Sequence, residues 1–488
     1  MQNLTRLIKK FWIKSQFPYR EPTQLSKVSK LIIFLICIVI SVISSYKLLT
    51  YSPNNFGTIF GWFFTFLEVL LSCGLLILIS RKENPTIDFR QILLIIGLFL
   101  LAQWTKVNFH NISPLAIIIP PSLIISQGMG TLTALSWVSF AFINWPIAVN
   151  EINNNLLFVT FIWACAVSFL GGRIRNRAQS LQIAFLVPLG AFLSQWILVG
   201  QDNQNNNLLD TSNLFLLKGN AFSDSLLLAI LLLVIILLMP IFESTFGLLT
   251  KSRLLELADQ EKPLLRRLSI EAPGTFEHTL LICCLAEEAT RTINGDVDLI
   301  KTGALYHDIG KLYAPNWFIE NQNGKYNPHD ELNDPFKSAE ILQEHVDQGL
   351  RFAKRNRLPQ AIANFIPEHQ GTLKMGYFLH KAQEKNIHIS ENNFRYKGPI
   401  PQSKETAILM LADGCEAALR AMSVNATDKE ASEIITNIIS SREKDGQLLD
   451  SLLSISEIFL IKRAFLNVWK RIRHRRIQYP ISKNSTFS

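Results

Sequence analysis

Charged residues are scarce in the first half of this sequence. The chain of 488 residues is 48% hydrophobic and only 18% charged, and up to about residue 248 it consists of long apolar runs with short polar breaks. This pattern excludes one ordinary soluble domain and predicts a membrane half followed by a soluble half. A transmembrane helix needs roughly 20 residues. Runs of about that length lie near residues 30–50, 58–80, 90–108, 131–149, 155–172, 179–200 and 222–248.

Paired cysteine spacing is also absent. The six cysteines lie in apolar runs or in the second half, without the spacing of a zinc ribbon. We therefore expect them to be reduced core residues. They are Cys37, Cys73, Cys165, Cys283, Cys284 and Cys415.

The stretch "PLAIIIPPSLIISQG" (114–128) is an irregular part of the membrane half. Its Pro120-Pro121 pair would break a regular helix, which predicts either a short kinked crossing or half of a re-entrant hairpin with the next run. Both alternatives leave the two termini on the same side. We therefore expect about eight crossings, or seven plus a re-entrant segment.

Basic residues predict the orientation of the membrane half. Cytoplasmic loops retain Lys and Arg, whereas the loops at 150–155 and 200–210 are acidic or neutral. This predicts a multi-pass protein of a bacterial inner (plasma) membrane with both termini and the soluble half in the cytoplasm. The basic positions are Arg6, Lys9, Lys10, Lys14, Arg20, Lys27, Lys30, Arg81, Lys82, Arg90, Arg173, Arg175, Arg177, Lys251 and Arg253.

Glu68 lies in the middle of the apolar stretch "WFFTFLEVLL". A carboxylate is costly there and is a functional candidate by default. We expect a protonated or hydrogen-bonded packing residue, with a functional role as the alternative.

The second half has no credible run of alternating strand residues. Apolar residues at three-and-four spacing predict helices, which makes the whole chain all-α. The predicted helices cover 279–293, 299–312, 337–356, 358–371 and 403–422.

Several histidines and carboxylates follow apolar helix faces and should therefore point into the helical bundle. Buried imidazoles and carboxylates must be paired or must hold a metal. Three to four imidazoles with two carboxylates suit Mn or Fe, with Zn possible and Mg less suitable. The candidate ligands are His278, His307, Asp308, His345, His369 and Asp413.

The adjacent pair His307-Asp308 is the natural centre of such a site. One carboxylate can bridge two metals while the neighbouring imidazole binds one of them. Two metals about 3.5 to 4 Å apart hold a hydroxide and stabilise an in-line displacement at phosphorus. The alternative for any single interior histidine is a hydrogen-bonded core residue.

Long sequence blocks surround this pair. With "HDIGK" (307–311), they resemble the transmembrane HD family of PgpH-type cyclic di-AMP phosphodiesterases, within the HD phosphohydrolase superfamily. The blocks are "LLELADQEKPLLRRLSIEAPGTFEHTL" (254–280), "ALYHDIGKLYAPNWFIENQ" (304–322), "NPHDEL" (327–332), "FRYKGPIPQSKETAILMLADGCEAALR" (394–420) and "HRRIQYP" (474–480).

The resemblance implies hydrolysis of cyclic di-AMP to pApA by a hydroxide activated at two Mn or Fe ions. Asp308 would bridge the metals and act in catalysis. Lys311 would reach the phosphate and stabilise its developing charge; a solvated lysine at a helix end is the alternative. The resemblance assigns one metal to His278, His307, Asp308 and Asp413, and the other to Asp308, His345 and His369.

The domain boundaries follow from composition and resemblance together. They are a basic cytoplasmic N-terminus (1–29), a polytopic membrane domain (30–248), a linker helix (249–262), a cytosolic HD domain (263–480) and a tail (481–488).

The sequence departs from the family pattern at two places. Only residues near 51–57 connect the first two apolar runs, so the family's large extracellular sensing domain is not expected there. Family members also tend to have two adjacent histidines where this chain has His369 and Gln370. A Gln carbonyl can still coordinate or hydrogen-bond, and we expect Gln370 to contact the metal or the substrate.

Other expected contacts involve substrate and lipid. Arg395 and Tyr396 could hold the second phosphate or stack on adenine, and an exposed loop without such a role is the alternative. The basic tail 462–476 suits the anionic lipid surface better than a nucleic acid polymer. A homodimer is possible.

Three other functions remain open at this point. A catalytically silent cyclic dinucleotide receptor would follow if Gln370 disables the site. A transporter is supported only by Glu68. Cleavage of cyclic di-GMP is less favoured because the Gly-Tyr-Pro element of that HD subgroup is missing after the metal motif.

Overall fold

The protein is described here from a computed structural model. It describes residues 31–39, 41–42, 56–83, 87–108, 112–144, 154–205, 211–322, 324, 327–385, 389–423 and 425–473. Within these ranges the secondary structure is helical, and the one β-type pairing is an isolated bridge between Lys374 and Arg395. The predicted N-terminal segment 1–29 and the tail 481–488 lie outside the described residues. The all-α prediction is confirmed for the described part of the chain.

Internal contacts divide the chain into an N-terminal unit, Met1–Arg253, and a C-terminal unit, Leu254–Ser488. In the N-terminal unit, residues 31–39 and 41–42 are helical. The helices that follow are α1 (Phe56–Glu83), α2 (Phe89–Asn108), α3 (Pro114–Met129), α4 (Thr131–Ile143), α5 (Asn154–Gly171), α6 (Arg177–Asn205) and α7 (Thr211–Phe246).

Four helices of the N-terminal unit are long and apolar enough to cross a membrane. Three further apolar helices are shorter: α3, α4 and the segment Asn155–Gly171 of α5. The chain is therefore a membrane protein, and the number of eight crossings stays a prediction. The four long segments are Phe63–Lys82, Phe89–Lys106, Arg177–Leu198 and Asn220–Phe246.

The helix is not interrupted at Pro120-Pro121, and the two alternatives for this stretch, a short kinked crossing or half of a re-entrant hairpin, stay predictions. Helix α3 runs through both prolines and ends at Gly130, whose φ of 106° belongs to the left-handed half of backbone space. Nearly every side chain of α3 is buried. Prolines lack the backbone N–H groups that stabilise a helix, and packing by the surrounding helices can compensate for this loss.

Two expectations about single side chains also need correction. Glu68 lies on the exposed surface of α1 and is not a buried packing residue. Cys284 is exposed, and Cys165 is only partly buried, whereas the other cysteines are buried. All six are free thiols, as expected for reduced residues.

Helix α8 (Lys251–Leu257) leads into the C-terminal unit. The structure places most of the predicted helices there but divides the segment 358–371 into two short helices. The following helices are α9 (Pro263–Glu271), α10 (Pro273–Thr292), α11 (Val297–Tyr306), α12 (Pro328–Leu332), α13 (Pro335–Arg355), α14 (Gln360–Ala363), α15 (Phe365–Glu368), α16 (Gly376–Lys385), α17 (Lys404–Arg420), α18 (Asp428–Lys444) and α19 (Ile455–Arg473).

Helix α11 binds the end of α8 through two hydroxyl groups. The carbonyls of the last turn of a helix have no partner within that helix. The Tyr306 hydroxyl donates to the Leu257 carbonyl at 2.9 Å. The Thr302 hydroxyl lies 3.2 Å from the Leu254 carbonyl and 2.8 Å from the Asp298 carbonyl, which share its one proton. Thr302 and Tyr306 are one turn apart, so α11 is fixed along the turn that leads to His307.

We expect Tyr306→Phe to destabilise the C-terminal unit by about 1 to 3 kcal/mol, because it removes a donor from a buried carbonyl. Thermal unfolding of the full chain measures the effect. Tyr377→Phe is the matched control, since Tyr377 is 59% exposed. Equal unfolding temperatures for the two variants would contradict a stabilising role of the Tyr306 hydroxyl.

Candidate metal centre

The sequence "HDIGK" lies where α11 ends and a 3-10 helix, Ile309–Tyr313, begins. Asp308 adopts φ −108° and ψ 14° between the two elements, in the sparsely populated bridge region of backbone space that many active-site residues occupy. Gly310 lets this turn approach α13, because a Cβ at position 310 would lie 1.7 Å from the His345 carbonyl oxygen. The glycine of the motif therefore brings Asp308 and His345 together.

The structure brings all six predicted ligands into one buried cluster. His278 comes from α10, His307 and Asp308 from the end of α11, His345 from α13, His369 from the end of α15, and Asp413 from α17. Asp413 is the most exposed of the six, with 22% of its side chain accessible. The cluster therefore opens to solvent on the Asp413 side.

The two oxygens of Asp308 face different histidines. Its Oδ2 lies 3.2 Å from His307 Nε2, while its Oδ1 lies 3.6 Å from both His345 Nε2 and His369 Nε2. On the other side of His307, His278 Nε2 lies 3.0 Å from Asp413 Oδ1. Asp308 thus stands between two groups of ligand atoms, as a bridging carboxylate must.

Backbone carbonyls fix the orientation of three imidazoles. The Nδ1 atoms of His307, His345 and His369 lie 2.6, 2.5 and 3.1 Å from the carbonyls of Ala304, Leu342 and Phe365. Each Nδ1 must carry the proton to make this bond, which leaves an Nε2 lone pair directed into the cluster.

Glu416 holds the fourth imidazole. Its Oε2 makes a short contact with His278 Nδ1, one turn along α17 from Asp413. A carboxylate behind a histidine orients the ring and makes it a stronger ligand. Sequence reasoning missed Glu416, although its spacing of three residues from Asp413 on one helix face was a usable signal.

Several buried acceptors of this cluster have no hydrogen-bond donor among the described residues. They are His307 Nε2, Asp308 Oδ1 and His345 Nε2. Buried lone pairs that face each other without a proton are unfavourable unless a cation lies between them. Two ligand triads could hold metals, His278 with His307 and Asp413, and His307 with Asp308 and His369. The residues present therefore fit divalent ions.

The histidines of the cluster differ in their pKa values. Burial, with a contribution from His307, lowers the pKa of His369 to about 3, and burial also lowers the pKa of His345. These rings stay neutral. Burial acts in the same direction on His278, but Asp413 and Glu416 outweigh it and raise that pKa to about 9. A metal at His278 would thus take the place of a proton.

Lys311 neutralises the central carboxylate. Its Nζ lies 2.8 Å from Asp308 Oδ2 and 2.6 Å from Glu320 Oε1. Burial lowers the pKa of Lys311, but the two carboxylates outweigh burial and hold that pKa above its usual value. Burial raises the pKa of Asp308, but Lys311 and His307 outweigh burial and hold it well below its usual range. Sequence reasoning missed Glu320, which follows Asp308 by twelve residues and lies in the 3-10 helix Ile319–Asn321.

The predicted substrate contacts lie at different distances from the cluster. The Gln370 side-chain nitrogen is 2.9 Å from His369 Nε2, and the Tyr396 ring centre is 6.0 Å from that of His345. Burial raises the pKa of the Tyr396 hydroxyl, which therefore remains protonated. The Arg395 guanidinium is instead bound to Asp445 at 3.2 Å.

Two family models match this chain. Residues 59–250 match the model described as "7TM receptor with intracellular HD hydrolase", and residues 275–418 match the HD domain. The chain therefore combines a membrane domain of the 7TM-HD type with an HD domain. The HD match contains all six candidate ligands.

Several curated relatives are similar to this chain. The chain is 34% identical to the cyclic-di-AMP phosphodiesterase PgpH of Listeria monocytogenes over 83% of its length and 56% of the relative. It is 40% identical to PgpH of Bacillus subtilis over 50% of this chain and 34% of that one. An uncharacterized protein of Synechocystis is 48% identical over 49% of this chain and 30% of the relative. The chain thus spans roughly a third to a half of the length of these relatives.

Solved structures are also similar. The HD domain of L. monocytogenes PgpH, solved in complex with cyclic di-AMP, is 37% identical, with a TM-score of 0.43 over 44% of this chain and 99% of that chain. The same domain solved separately gives 37% identity and a TM-score of 0.42.

We expect Glu416→Gln to weaken metal binding at the His278 side by about 10- to 100-fold, the usual effect of losing a partner behind a ligand. Titration of the metal-free protein with Mn²⁺ measures this. Glu288→Gln on α10, whose carboxylate pairs with Arg471 at 3.1 Å, is the control. Unchanged Mn²⁺ affinity in Glu416→Gln would remove Glu416 from the centre.

Proposed function

We propose that this chain is a membrane-anchored, metal-dependent phosphodiesterase that hydrolyses cyclic di-AMP to pApA. The observation that carries the proposal is Asp308, whose two oxygens face two groups of buried imidazoles within one HD domain. The identity of 34% and 40% to two cyclic-di-AMP phosphodiesterases supports the choice of substrate.

The proposed centre holds two divalent ions, Mn or Fe. His278, His307, Asp308 and Asp413 would hold one ion, and Asp308, His345 and His369 the other. Such ions supply an activated water and neutralise charge at phosphorus. The chain's own residues orient the imidazoles and keep those of His345 and His369 neutral.

Lys311 has a defined role in this proposal. The Lys311 side chain is 11% exposed and its ammonium lies beside the central carboxylate, so a phosphate that enters on the Asp413 side meets a fixed positive charge. Charge that develops on the nonbridging oxygens is stabilised there without reorganisation. Gln370 and Tyr396 lie next to His369 and His345 and provide polar contacts for the rest of the nucleotide.

The proposed location is a bacterial plasma membrane, with both termini and the HD domain in the cytoplasm. The basic loops of the sequence support this orientation. The domain boundaries 30–248, 249–262 and 263–480 are part of the same proposal, with the lipid bilayer and a possible second copy as partners.

The test is hydrolysis of cyclic di-AMP and cyclic di-GMP by the purified full chain with added Mn²⁺. We expect conversion of cyclic di-AMP to pApA and little cleavage of cyclic di-GMP. Binding of cyclic di-AMP without turnover, in protein whose metal content is confirmed, would favour the receptor and overturn the enzyme. Gln370→His would then show whether the missing imidazole is the cause.

A further inference from the structure

The backbone directly after His369 and Gln370 is held by side chains from two later segments. Gly371 has φ +51°, a left-handed conformation that favours glycine. The Thr372 N–H donates to Gln447 Oε1 at 3.0 Å, and Gln447 Nε2 donates to the Thr372 hydroxyl at 2.8 Å. Arg395 Nη1 donates to the Thr372 carbonyl at 3.0 Å. The backbone N–H, the carbonyl and the hydroxyl of Thr372 are therefore all bound.

Gln447 closes a ring of hydrogen bonds. Its side chain is fully buried, and Nε2 also donates to Asp445 Oδ2 at 2.8 Å. Asp445 in turn accepts from Arg395 at 3.2 Å. The hydrogen bonds thus form the ring Thr372–Gln447–Asp445–Arg395, which begins at the N–H and hydroxyl of Thr372 and returns to its carbonyl. Gln447 is the buried member of this ring, and both polar atoms of its side chain are hydrogen-bonded, which favours a single side-chain position.

This ring lies next to the residues that face the metal centre. The Gln370 carbonyl accepts from the Leu373 N–H at 3.0 Å, so residues 370–373 form one tight turn. The Gln370 side chain contacts His369 Nε2 at 2.9 Å. The position of the Thr372 backbone therefore determines where the Gln370 amide can lie.

We propose that Gln447 is a positioning residue that holds Gln370 and His369 in place for metal and substrate. Gln447 lies between α18 and α19, beyond the residues 275–418 that match the HD domain. Arg395 belongs to this ring through its contacts with the Thr372 carbonyl and with Asp445. The inference deepens the proposed function and rests on it for its catalytic consequence.

The test compares Gln447→Met with Gln447→Glu and with Gln343→Met. Met retains the length of the side chain but makes no hydrogen bond, and Glu retains only the acceptor for the Thr372 N–H. Gln343 is the matched control because it donates to the carbonyls of Asn393 and Arg395, at 3.2 and 3.0 Å, without contacting Thr372. Mn²⁺ affinity, unfolding temperature, kcat and KM are measured for each full-length variant.

We expect Gln447→Met to weaken the binding of one Mn²⁺ by about 10-fold or more, with a smaller effect for Glu and none for the control. In Gln447→Met, kcat should fall at low Mn²⁺ and recover at high Mn²⁺. A lower unfolding temperature with unchanged Mn²⁺ affinity and kcat would overturn the proposal. If Gln447→Met does not fold, the affinity of Gln447→Glu decides.

The two proposals fail in different ways. If the wild-type chain does not cleave cyclic di-AMP, the proposed function fails, but Mn²⁺ titration still tests the positioning role. If the wild-type chain is active and Gln447→Met binds Mn²⁺ normally, only the positioning role fails.

Discussion

Asp308→Asn is expected to abolish hydrolysis of cyclic di-AMP and to reduce the bound metal from two ions to at most one. Asp308 Oδ2 faces His307 at 3.2 Å, and Oδ1 faces His345 and His369 at 3.6 Å. Asparagine replaces one of these oxygens with an amide nitrogen that cannot bind a metal and removes the negative charge. Loss of an outer partner already costs about 10- to 100-fold, so loss of a bridging ligand should cost more than about 100-fold.

The measurements are product formation and metal content per protein by mass spectrometry. Asp330→Asn is the control, since that carboxylate is 60% exposed and pairs with Lys381 at 2.9 Å. It should retain both metals and full activity. An Asp308→Asn protein that holds two ions and turns over would show that the bridge is elsewhere.

The sequence predicted the candidate metal ligands of this centre better than it predicted the residues that hold those ligands in place. Helical spacing placed His345 and Asp413 on apolar faces, and the adjacent pair His307-Asp308 marked a centre, because ligand types and periodicity are local properties. Glu320 lies in a short 3-10 helix and Gln447 in a turn, and the position of both depends on tertiary packing. No local pattern indicates that either residue meets Lys311 or Thr372.

For the fold too, some helices follow from local sequence patterns and others depend on tertiary packing. The long apolar runs and the helices α10, α13 and α17 follow from periodicity. The uninterrupted α3 does not, because the cost of Pro120-Pro121 is offset by burial on all sides. The division of 358–371 into α14 and α15 was also missed. Asn364, between these helices, has helical φ and ψ values of −62° and −30°. Pro367 in α15 has no N–H to donate to the Ala363 carbonyl, which interrupts the helix there.

Lys311→Met is expected to destabilise the metal-free protein by about 3 to 5 kcal/mol, the usual cost of removing one partner of a buried ion pair. The ammonium lies 2.8 Å from Asp308 and 2.6 Å from Glu320, and it is 11% exposed. Without it, two buried carboxylates lose their cation. Hydrolysis should fall by about 100- to 1,000-fold, as for other fixed donors at a developing charge.

Metal should reverse part of the stability loss in Lys311→Met. Mn²⁺ bound at Asp308 would compensate that carboxylate, so we expect a larger rise in unfolding temperature on adding Mn²⁺ than in the wild type. Glu320 would keep its hydrogen bond from the Thr275 hydroxyl, at 2.9 Å. The control Lys301→Met removes a pair in which the lysine is 44% exposed and should cost at most about 1 kcal/mol.

A double variant separates the structural role of Lys311 from its catalytic role. Lys311→Met with Glu320→Gln removes both partners of one buried pair, which is often nearly neutral for stability. We therefore expect this protein to unfold near the wild-type temperature in the presence of Mn²⁺ and yet to remain inactive. If activity returned together with stability, Lys311 would only neutralise Glu320, and the positive charge at the phosphate would have to come from the metals alone.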